Sequence, residues 1–319
     1  MEPPERMSRG AAFPLPVVVA LLVLAVVARA GGPAPLSAVD DRRPALPVRV
    51  DQRFGYIDVK GRLVIEARFK AALPFAEGLA PVQDGQSNLW GYIGTDGAYA
   101  IPPRYQHAGT FSAGLAVVLR DGSAGFIDRT GQYAFEARFS GAAGFREGLA
   151  LVLRGQHVLG QFIQTYGYID RSGKYVIPPT LADAGPFSEG LAPARYMGEW
   201  FGYIDAKGQK VIPPRYERAG AFSEGLAPVR VGNARWGYID KTGALVIAPR
   251  FLGGGSFKGG LAPVLDLGNT WGYVDRTGRF VIAPKYTEAA PFLGGMAQVR
   301  LDGKLGYIDR QGNDVWRPR

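Results

Sequence analysis

The chain has 319 residues, of which 47% are hydrophobic and none is cysteine, and it carries a net charge of +9 at neutral pH. The absence of cysteine excludes disulfide bonds, thiolate nucleophiles and zinc sites built on cysteine. The basic excess is moderate and spread along the whole chain, so it favours an anionic partner. The 45 glycines and 24 prolines recur at fixed offsets, which is typical of turns and not of disorder.

The N-terminus carries a targeting pattern. Arg6 and Arg9 precede an apolar run at residues 17–27, and an Ala-Arg-Ala sequence ends at Ala30. This arrangement predicts a secretory signal peptide at residues 1–30, cleaved after Ala30. The apolar run is shorter than the roughly 20 residues that a transmembrane helix needs, so we expect no stable membrane span after processing. Anchoring by an uncleaved N-terminal helix is the alternative.

Residues 31–45 are rich in proline and alanine and are predicted to be a linker. From residue 46 to residue 319 the chain repeats itself. The glycine of a Gly-Tyr-Ile-Asp segment returns every 34 to 42 residues, at Gly55, Gly91, Gly125, Gly167, Gly202, Gly237, Gly272 and Gly306. Self-similarity at such a period is the signature of a repeat architecture. We predict seven full units with partial units at both ends of the array.

Each repeat predicts three clear strands and a weaker fourth one. The first strand reads aromatic-Gly-Tyr-Ile-Asp, and the Asp-x-x-Gly that follows is typical of a type I turn that closes a hairpin. The second strand is short and runs into Pro-Pro or Ala-Pro, which cannot continue a central ladder. The sequence Phe-Ser-Glu-Gly-Leu-Ala-Pro-Val supplies another turn and strand. No helical periodicity appears after the signal segment, so the sequence predicts an all-β protein.

The repeated wording resembles the WG repeat, also called the KWG repeat, which occurs in tandem arrays mainly in bacteria. The resemblance covers about residues 46–316, although the tryptophan itself is present only at Trp90, Trp236 and Trp271. It implies a repeat scaffold with no common catalytic activity or cofactor. Two architectures are open: a propeller-like ring, or an open β-solenoid or superhelix. A ring would join the strand at residues 47–50 and the last hairpin into one composite unit.

Nothing in the sequence singles out a metal or catalytic centre, and we expect no cofactor. His107 and His157 lie far apart and have no spacing suited to zinc. The recurring aspartate of Gly-Tyr-Ile-Asp could belong to a row of calcium sites, or it could accept N–H bonds inside its own turn. We favour the second interpretation, because a basic residue follows the aspartate in most copies.

One repeated feature is a candidate binding surface. The position before the Tyr or Phe that follows the prolines is basic in six of seven copies, at Arg68, Arg104, Arg138, Arg215, Arg250 and Lys285, with Thr180 as the exception. We call these six residues the basic row. Each could pair internally with the turn aspartate or with the glutamate of Phe-Ser-Glu-Gly. Alternatively the row binds an anionic polymer or an acidic partner.

The 42-residue repeat contains a second candidate. Its extra residues fall between positions 153 and 166, and insertions in repeat proteins often map to the binding face. The candidate binding loop consists of His157, Val158, Leu159, Phe162 and Ile163. The alternative is a simple lengthening of a hairpin.

These observations favour a secreted or periplasmic, non-enzymatic scaffold that acts as a monomer. Its expected partner is a protein or an anionic envelope polymer, and not nucleic acid. A glycan-active enzyme with a pocket at the axis or mouth of the array is the alternative, since aspartate and glutamate occur throughout the array.

Overall fold

The computed structural model describes residues 46–58, 62–136, 138–158, 161–232 and 234–316. These residues form twenty-nine strands in seven antiparallel sheets and contain no helix, which confirms the predicted all-β array. It follows that no helix in these ranges is long and apolar enough to cross a bilayer. The predicted signal peptide and linker, at residues 1–45, lie outside the described residues.

The strands fall into eight structural units. In units 2, 4, 5, 6 and 7 the last strand contains the prolines. Unit 1 holds β1 (Leu46–Val50), β2 (Arg53–Ile57) and β3 (Leu63–Phe69). Unit 2 holds β4 (Ala71–Ala72), β5 (Ala80–Gln83), β6 (Trp90–Ile93) and β7 (Tyr99–Tyr105). Unit 3 holds β8 (His107–Ala108), β9 (Ala116–Arg120) and β10 (Ser123–Ile127). Unit 4 holds β11 (Gly141–Ala142), β12 (Ala150–Val158), β13 (Gln161–Ile169) and β14 (Tyr175–Ala184).

The remaining four units are more regular. Unit 5 adds β15 (Ala192–Tyr196), β16 (Phe201–Ile204) and β17 (Lys210–Tyr216) to the end of β14, which therefore links units 4 and 5 into one seven-stranded sheet. Unit 6 holds β18 (Arg218–Ala219), β19 (Ala227–Val231), β20 (Arg235–Ile239) and β21 (Leu245–Phe251). Unit 7 holds β22 (Gly253–Gly254), β23 (Ala262–Leu265), β24 (Trp271–Val274) and β25 (Phe280–Tyr286). Unit 8 holds β26 (Glu288–Ala289), β27 (Ala297–Leu301), β28 (Lys304–Ile308) and β29 (Asp314–Trp316).

The ends of the array correct one expectation. The first strand, β1, pairs with β2 over five residue pairs, while the last hairpin belongs to the separate sheet of unit 8. The predicted composite unit is therefore wrong. The Leu-Ala-Pro-Val strand pairs with the Gly-Tyr-Ile-Asp strand that follows it in sequence, so β1 already has its partner within unit 1.

The turn of unit 6 shows how the predicted Asp-x-x-Gly hairpin forms. Gly243 has a φ of +85° and donates its N–H to the carbonyl of Asp240 at 2.9 Å. One carboxylate oxygen of Asp240 accepts the N–H groups of Thr242 at 2.9 Å and Ala244 at 3.1 Å. The aspartate therefore caps its own turn, as we predicted. This closed loop sets the register of β20 against β21.

The glycine of the Trp-Gly pair is required by a close backbone approach. A Cβ atom on Gly237 would lie 2.5 Å from the carbonyl oxygen of Ile247 and 2.8 Å from the nitrogen of Pro249. The register between β20 and β21 shifts next to this point, so the proline-containing strand bends over the glycine. No side chain other than hydrogen fits beneath that bend.

The hydrophobic core lies between consecutive units. Seven buried clusters are present in the part of the chain that the structure describes, and each joins one unit to the next. In the cluster between units 6 and 7, the fully buried Tyr238 packs its ring 5.0 Å from Phe257 and donates its hydroxyl to the carbonyl of Gly255 at 2.8 Å. Single units cannot bury these rings, so the array is stabilised by its neighbours.

Candidate binding surface

The basic row lies on the last strand of each unit and reaches the next unit. In unit 5, Nη2 of Arg215 donates to the carbonyl of Gly243 in unit 6 at 2.5 Å, and its guanidinium lies 5.3 Å from the ring centroid of Tyr216. The same bond and stacking recur at Arg68, Arg104, Arg138 and Arg250, and Lys285 lies over Tyr286. Each arginine therefore combines a charge-assisted hydrogen bond with a cation–π contact.

The predicted internal pairing of these arginines with carboxylates is wrong. The acceptor is a backbone carbonyl of the turn in the next unit, and no described carboxylate forms an ion pair with the five arginines. The turn aspartates accept N–H groups within their own turns, as Asp240 does. Four glutamates of the Phe-Ser-Glu-Gly turns accept backbone N–H groups of the next unit. The side chains of the row also remain exposed.

Two equivalent grooves run beside the row. One, between units 1 and 2, has a volume of about 440 Å³ and is lined by Arg53, Ala67, Arg68, Phe69, Asp84, Gly85, Gln86 and Tyr99. The other, between units 5 and 6, has a volume of about 470 Å³ and is lined by Arg215, Tyr216, Val231, Thr242, Gly243, Ala244 and Leu245. In both, the basic residue and the aromatic ring beside it come from one unit, and the first residue of the last strand comes from the next unit. The turn in the wall differs: residues 84–86 connect β5 and β6, and residues 242–244 connect β20 and β21.

The wall of each groove is partly apolar. Tyr99 and Leu245 are each the first residue of a last strand, and both are exposed. The equivalent residues Leu63, Tyr133, Tyr175 and Phe280 are exposed as well. This apolar row was not predicted from the sequence, although the alternation along the last strand could have revealed it. The first residue shares a face of the strand with the buried isoleucine at the third position, but it lies at the end of the strand and is exposed.

The first groove has its own electrostatics. The backbone N–H and hydroxyl of Ser87 donate to Asp84 and lower the pKa of that carboxyl. The hydroxyl of Tyr99 lies 3.4 Å from the Asp84 carboxylate, and its pKa is raised, first by burial and then by that negative charge. Asp84 is therefore ionised at neutral pH, and with Arg53 and Arg68 on the same groove the lining carries a net charge of +1.

The candidate binding loop forms a lengthened hairpin. Strands β12 and β13 pair over nine residue pairs, which include Gln156 with Ile163 and His157 with Phe162. Phe162 is 58% exposed. Leu159 and the side chains of His157 and Val158 lie outside the described residues. The structure thus places the insertion as an extension of two existing strands, which is the simpler of the two alternatives, and leaves its binding role as a prediction.

A second inter-unit contact was not found from the sequence. The carboxylate of Glu224 in unit 6 accepts the N–H groups of Gly259 at 2.6 Å and Gly260 at 2.9 Å in unit 7. Ser223 donates its hydroxyl to the carbonyl of Phe257 at 2.7 Å. The Phe-Ser-Glu-Gly turn therefore binds the equivalent turn of the following unit. The recurrence of Ser-Glu at a fixed offset was the only signal, and it does not name the partner.

His107 is the histidine whose side chain is described. It is half-buried, its ring lies 5.6 Å from Trp90, and burial lowers its pKa. Among the residues that the structure describes, no group of three or more histidine, aspartate or glutamate side chains is arranged to hold a metal ion.

The sequence repeats match a known family. The WG containing repeat matches at residues 54–86, 90–122, 125–156, 166–200, 201–233, 236–269 and 271–304. The chain belongs to the WG-repeat family. Each family repeat begins at a Gly-Tyr-Ile-Asp strand and ends after the next Leu-Ala-Pro-Val strand, so it is shared between two structural units of the fold. No curated protein matches the chain.

Several solved structures resemble this WG-repeat fold. A eukaryotic initiation factor matches with a TM-score of 0.56 and 10% identity, over 84% of this chain and 85% of that chain. The computationally designed Ika8 protein matches with a TM-score of 0.54 and 12% identity, over 86% and 90%. The WD40 β-propeller domain of Doa1 has a TM-score of 0.40 and 10% identity, over 83% and 96%. Such low identities concern the fold alone.

Proposed function

We propose that this WG-repeat protein is an exported, non-enzymatic scaffold that binds an acidic protein surface or an anionic envelope polymer along its basic row. The observation that carries the proposal is the recurrence of one groove: an exposed arginine over an aromatic ring, facing an exposed apolar residue of the next unit. A groove that occurs at more than one junction between units suits an extended or multivalent partner better than one small molecule.

The guanidinium groups retain hydrogen-bonding capacity. Arg215 donates Nε to the hydroxyl of Tyr216 at 2.9 Å and Nη2 to Gly243, and a guanidinium has five N–H donors in all. These two bonds hold the planar group in one orientation, so little side-chain entropy is lost when an anion binds. The same bonds stabilise the contact between units, which gives the row a structural role beside the binding role.

The enzyme alternative calls for two carboxylates that face one pocket at a separation of roughly 5–10 Å. The groove between units 1 and 2 contains one carboxylate, Asp84, and the groove between units 5 and 6 is lined by none. No observation favours this alternative over the scaffold.

Salt elution from an anionic matrix tests the proposal. We expect the triple variant Arg104→Gln, Arg215→Gln, Arg250→Gln to elute from heparin or isolated envelope polymer at clearly lower salt than the wild type, because screened surface charges dominate such binding. Each change should also lower the free energy of unfolding by roughly 0.5–1 kcal/mol, since a bond between units is lost.

The matched control replaces three exposed arginines outside the row, Arg49, Arg129 and Arg171, by Gln, so that the net charge is the same. If both triple variants elute at the same salt concentration, retention follows net charge and the row is not the binding surface. Thr180→Arg supplies the missing member of the row and should raise the elution salt.

Export has its own test. Purification of the mature protein from its native cell and N-terminal sequencing should give a chain that starts at Gly31, because of the predicted cleavage after Ala30. A full-length cytoplasmic product would contradict the localisation and, with it, an envelope partner.

A further inference from the structure

The Phe-Ser-Glu-Gly turns share one backbone conformation. In unit 6, Glu224 and Gly225 have φ angles of +56° and +78°, and Ser223 and Leu226 exchange backbone hydrogen bonds. Two successive positive φ angles define a type I′ turn. The N–H groups of its two central residues take no part in the turn's own hydrogen bonds, so together they form a small concave anion site.

In most units this anion site is already occupied by a carboxylate of the preceding unit. Glu147 accepts the N–H groups of Glu189 at 2.5 Å and Gly190 at 2.9 Å, one on each carboxylate oxygen. Glu224 binds the turn of unit 7 in the same way, and Glu77 and Glu189 each accept the glycine N–H of the next turn. The occupant is a side-chain carboxylate in all four cases.

Unit 8 has the same turn but no carboxylate to fill it. Gly294 and Gly295 have φ angles of +58° and +86°, close to the +62° and +80° of Gly259 and Gly260 in the occupied turn of unit 7. The residue that would reach them is Gly259, which stands where units 2, 4, 5 and 6 carry glutamate. In the described residues the N–H groups of Gly294 and Gly295 have no acceptor, and the space around both glycines is open.

A basic side chain lies beside Gly259, the position from which the missing carboxylate would come. Nε of Arg310 lies 3.7 Å from the position that a Cβ atom of Gly259 would take. The equivalent residue of unit 6, Lys241, forms an ion pair with the carboxylate of Glu189 at 3.3 Å. Lys258 also stands where units 5 and 6 have the serine that precedes the glutamate. Arg310 is therefore in place for a carboxylate at position 259, and the carboxylate that Glu147, Glu189 and Glu224 supply to other turns is missing there.

We infer that the N–H groups of Gly294 and Gly295, together with Arg310, bind the side-chain carboxylate of an acidic peptide segment from a partner protein. The chemistry of the ligand follows from the occupied turns, where a planar carboxylate places one oxygen on each N–H group. This site lies outside the grooves of the basic row, so it can exist whether or not the row binds an anionic polymer.

The turn of unit 4 provides an internal comparison. Ala113 precedes it, so it too receives no carboxylate from the unit before, but it carries Glu147 within the turn itself. An acidic residue in the turn does not prevent a carboxylate from binding, since Glu189 in the turn of unit 5 donates its N–H to Glu147 at 2.5 Å. It does place a like charge close to the bound group. Unit 8 carries no acidic residue in its turn, which makes it the better site.

The test follows the N–H signals of the full chain labelled with ¹⁵N-glycine. Titration with the blocked tripeptide Gly-Glu-Gly should shift the signals of Gly294 and Gly295 saturably, and the matched Gly-Gln-Gly tripeptide should not shift them. Gly259→Glu should fill the site from within the chain and weaken tripeptide binding at least tenfold. Glutamate fits there because Glu224 and Glu189 already adopt this backbone conformation. Gly259→Ala, which mimics Ala113, should bind like the wild type.

Two further arms sharpen the assignment. Arg310→Gln should weaken tripeptide binding at least threefold, and inorganic phosphate should shift the two signals less than the tripeptide does at equal concentration. The inference is wrong if the tripeptide leaves Gly294 and Gly295 unshifted, if Gly259→Glu binds as well as Gly259→Ala, or if phosphate binds more tightly than the tripeptide. Since heparin retention reports the basic row, failure of one proposal is distinguishable from failure of the other.

Discussion

Two interfaces pack aromatic rings from equivalent positions but differ in their polar contacts. One lies between units 6 and 7, and the other between units 3 and 4. Between units 6 and 7, Tyr238 lies 5.0 Å from Phe257 and its hydroxyl binds the carbonyl of Gly255. Between units 3 and 4, Phe126 lies 5.1 Å from Phe145, and there is no hydroxyl to donate. The ring pair is thus common to both interfaces, and the hydrogen bond is not.

The glutamate contact differs in the same way. Glu224 binds two N–H groups of unit 7, whereas the equivalent residue of unit 3 is Ala113. The serine contact is kept in both, from Ser223 to Phe257 at 2.7 Å and from Ser112 to Phe145 at 2.8 Å. Units 3 and 4 are therefore joined by buried rings, the serine bond and the bond from Arg138 to Gly173, without the tyrosine and glutamate contacts. The comparison indicates that those two contacts add to this support.

The largest expected effect is the loss of the common ring. Phe257→Ala and Phe145→Ala should each lower the free energy of unfolding by roughly 3–5 kcal/mol, because each empties a buried aromatic site. Urea denaturation measures both values. Leu267→Ala, at a residue that is 67% exposed, is the control and should change stability by no more than about 0.5 kcal/mol. If Phe145→Ala lowers the free energy of unfolding much less than Phe257→Ala does, the ring does not have the same role at the two interfaces.

A second change acts on the turns of both regions. Gly243 and Gly131 have φ angles of +85° and +84°, and an added Cβ would lie 2.8 Å and 2.6 Å from the arginine of the preceding unit. Gly243→Val and Gly131→Val should each cost more than about 1 kcal/mol, since a β-branched residue is strained at positive φ. Gly144→Ala, at an open position, is the control. A thermal melt of Gly243→Val equal to that of the wild type would show that our turn assignment is wrong.

The tyrosine hydroxyl has a smaller expected effect. Tyr238→Phe should lower stability by roughly 1–2 kcal/mol, because the buried carbonyl of Gly255 loses its donor. Phe126→Tyr is the converse change in the other region and is expected to cause no loss. If Tyr238→Phe unfolds at the same urea concentration as the wild type, the hydroxyl does not distinguish the two interfaces.

The smallest expected effect concerns the turn aspartates, which are alike in both regions. The Thr242 hydroxyl, and then backbone N–H groups, lower the pKa of Asp240, and Thr130 does the same for Asp128. A lowered folded-state pKa means that this stabilisation is present above the unfolded value, near 3.9, and is lost as the pH falls through the folded pKa.

NMR titration of the carboxyl carbons measures these two pKa values. Both should lie below the ordinary aspartate value, and Thr242→Ala should raise the pKa of Asp240 while leaving that of Asp128 in place. If the pKa of Asp240 is unchanged in Thr242→Ala, the hydroxyl of Thr242 is not what lowers it.

Much of the fold follows from local sequence. The Asp-x-x-Gly spacing specifies a turn whose donors and acceptors all lie within five residues, so Asp240 and Gly243 could be assigned without tertiary information. The strands follow from alternation around Tyr238 and Ile247, and the period follows from the return of Gly237 and its equivalents. The exposed basic row was also visible, since equivalent positions of an array align.

The tertiary structure alone decided which strands share a sheet and what each long side chain binds. A periodic sequence can be divided into units at any phase. Only the strand pairing shows that a Leu-Ala-Pro-Val strand shares a sheet with the Gly-Tyr-Ile-Asp strand that follows it. Arg215 and Glu224 bind backbone groups of the next unit, and backbone groups have no signature in the sequence. The open N–H groups of Gly294 and Gly295 depend on the distance between two turns, which packing of the intervening rings sets.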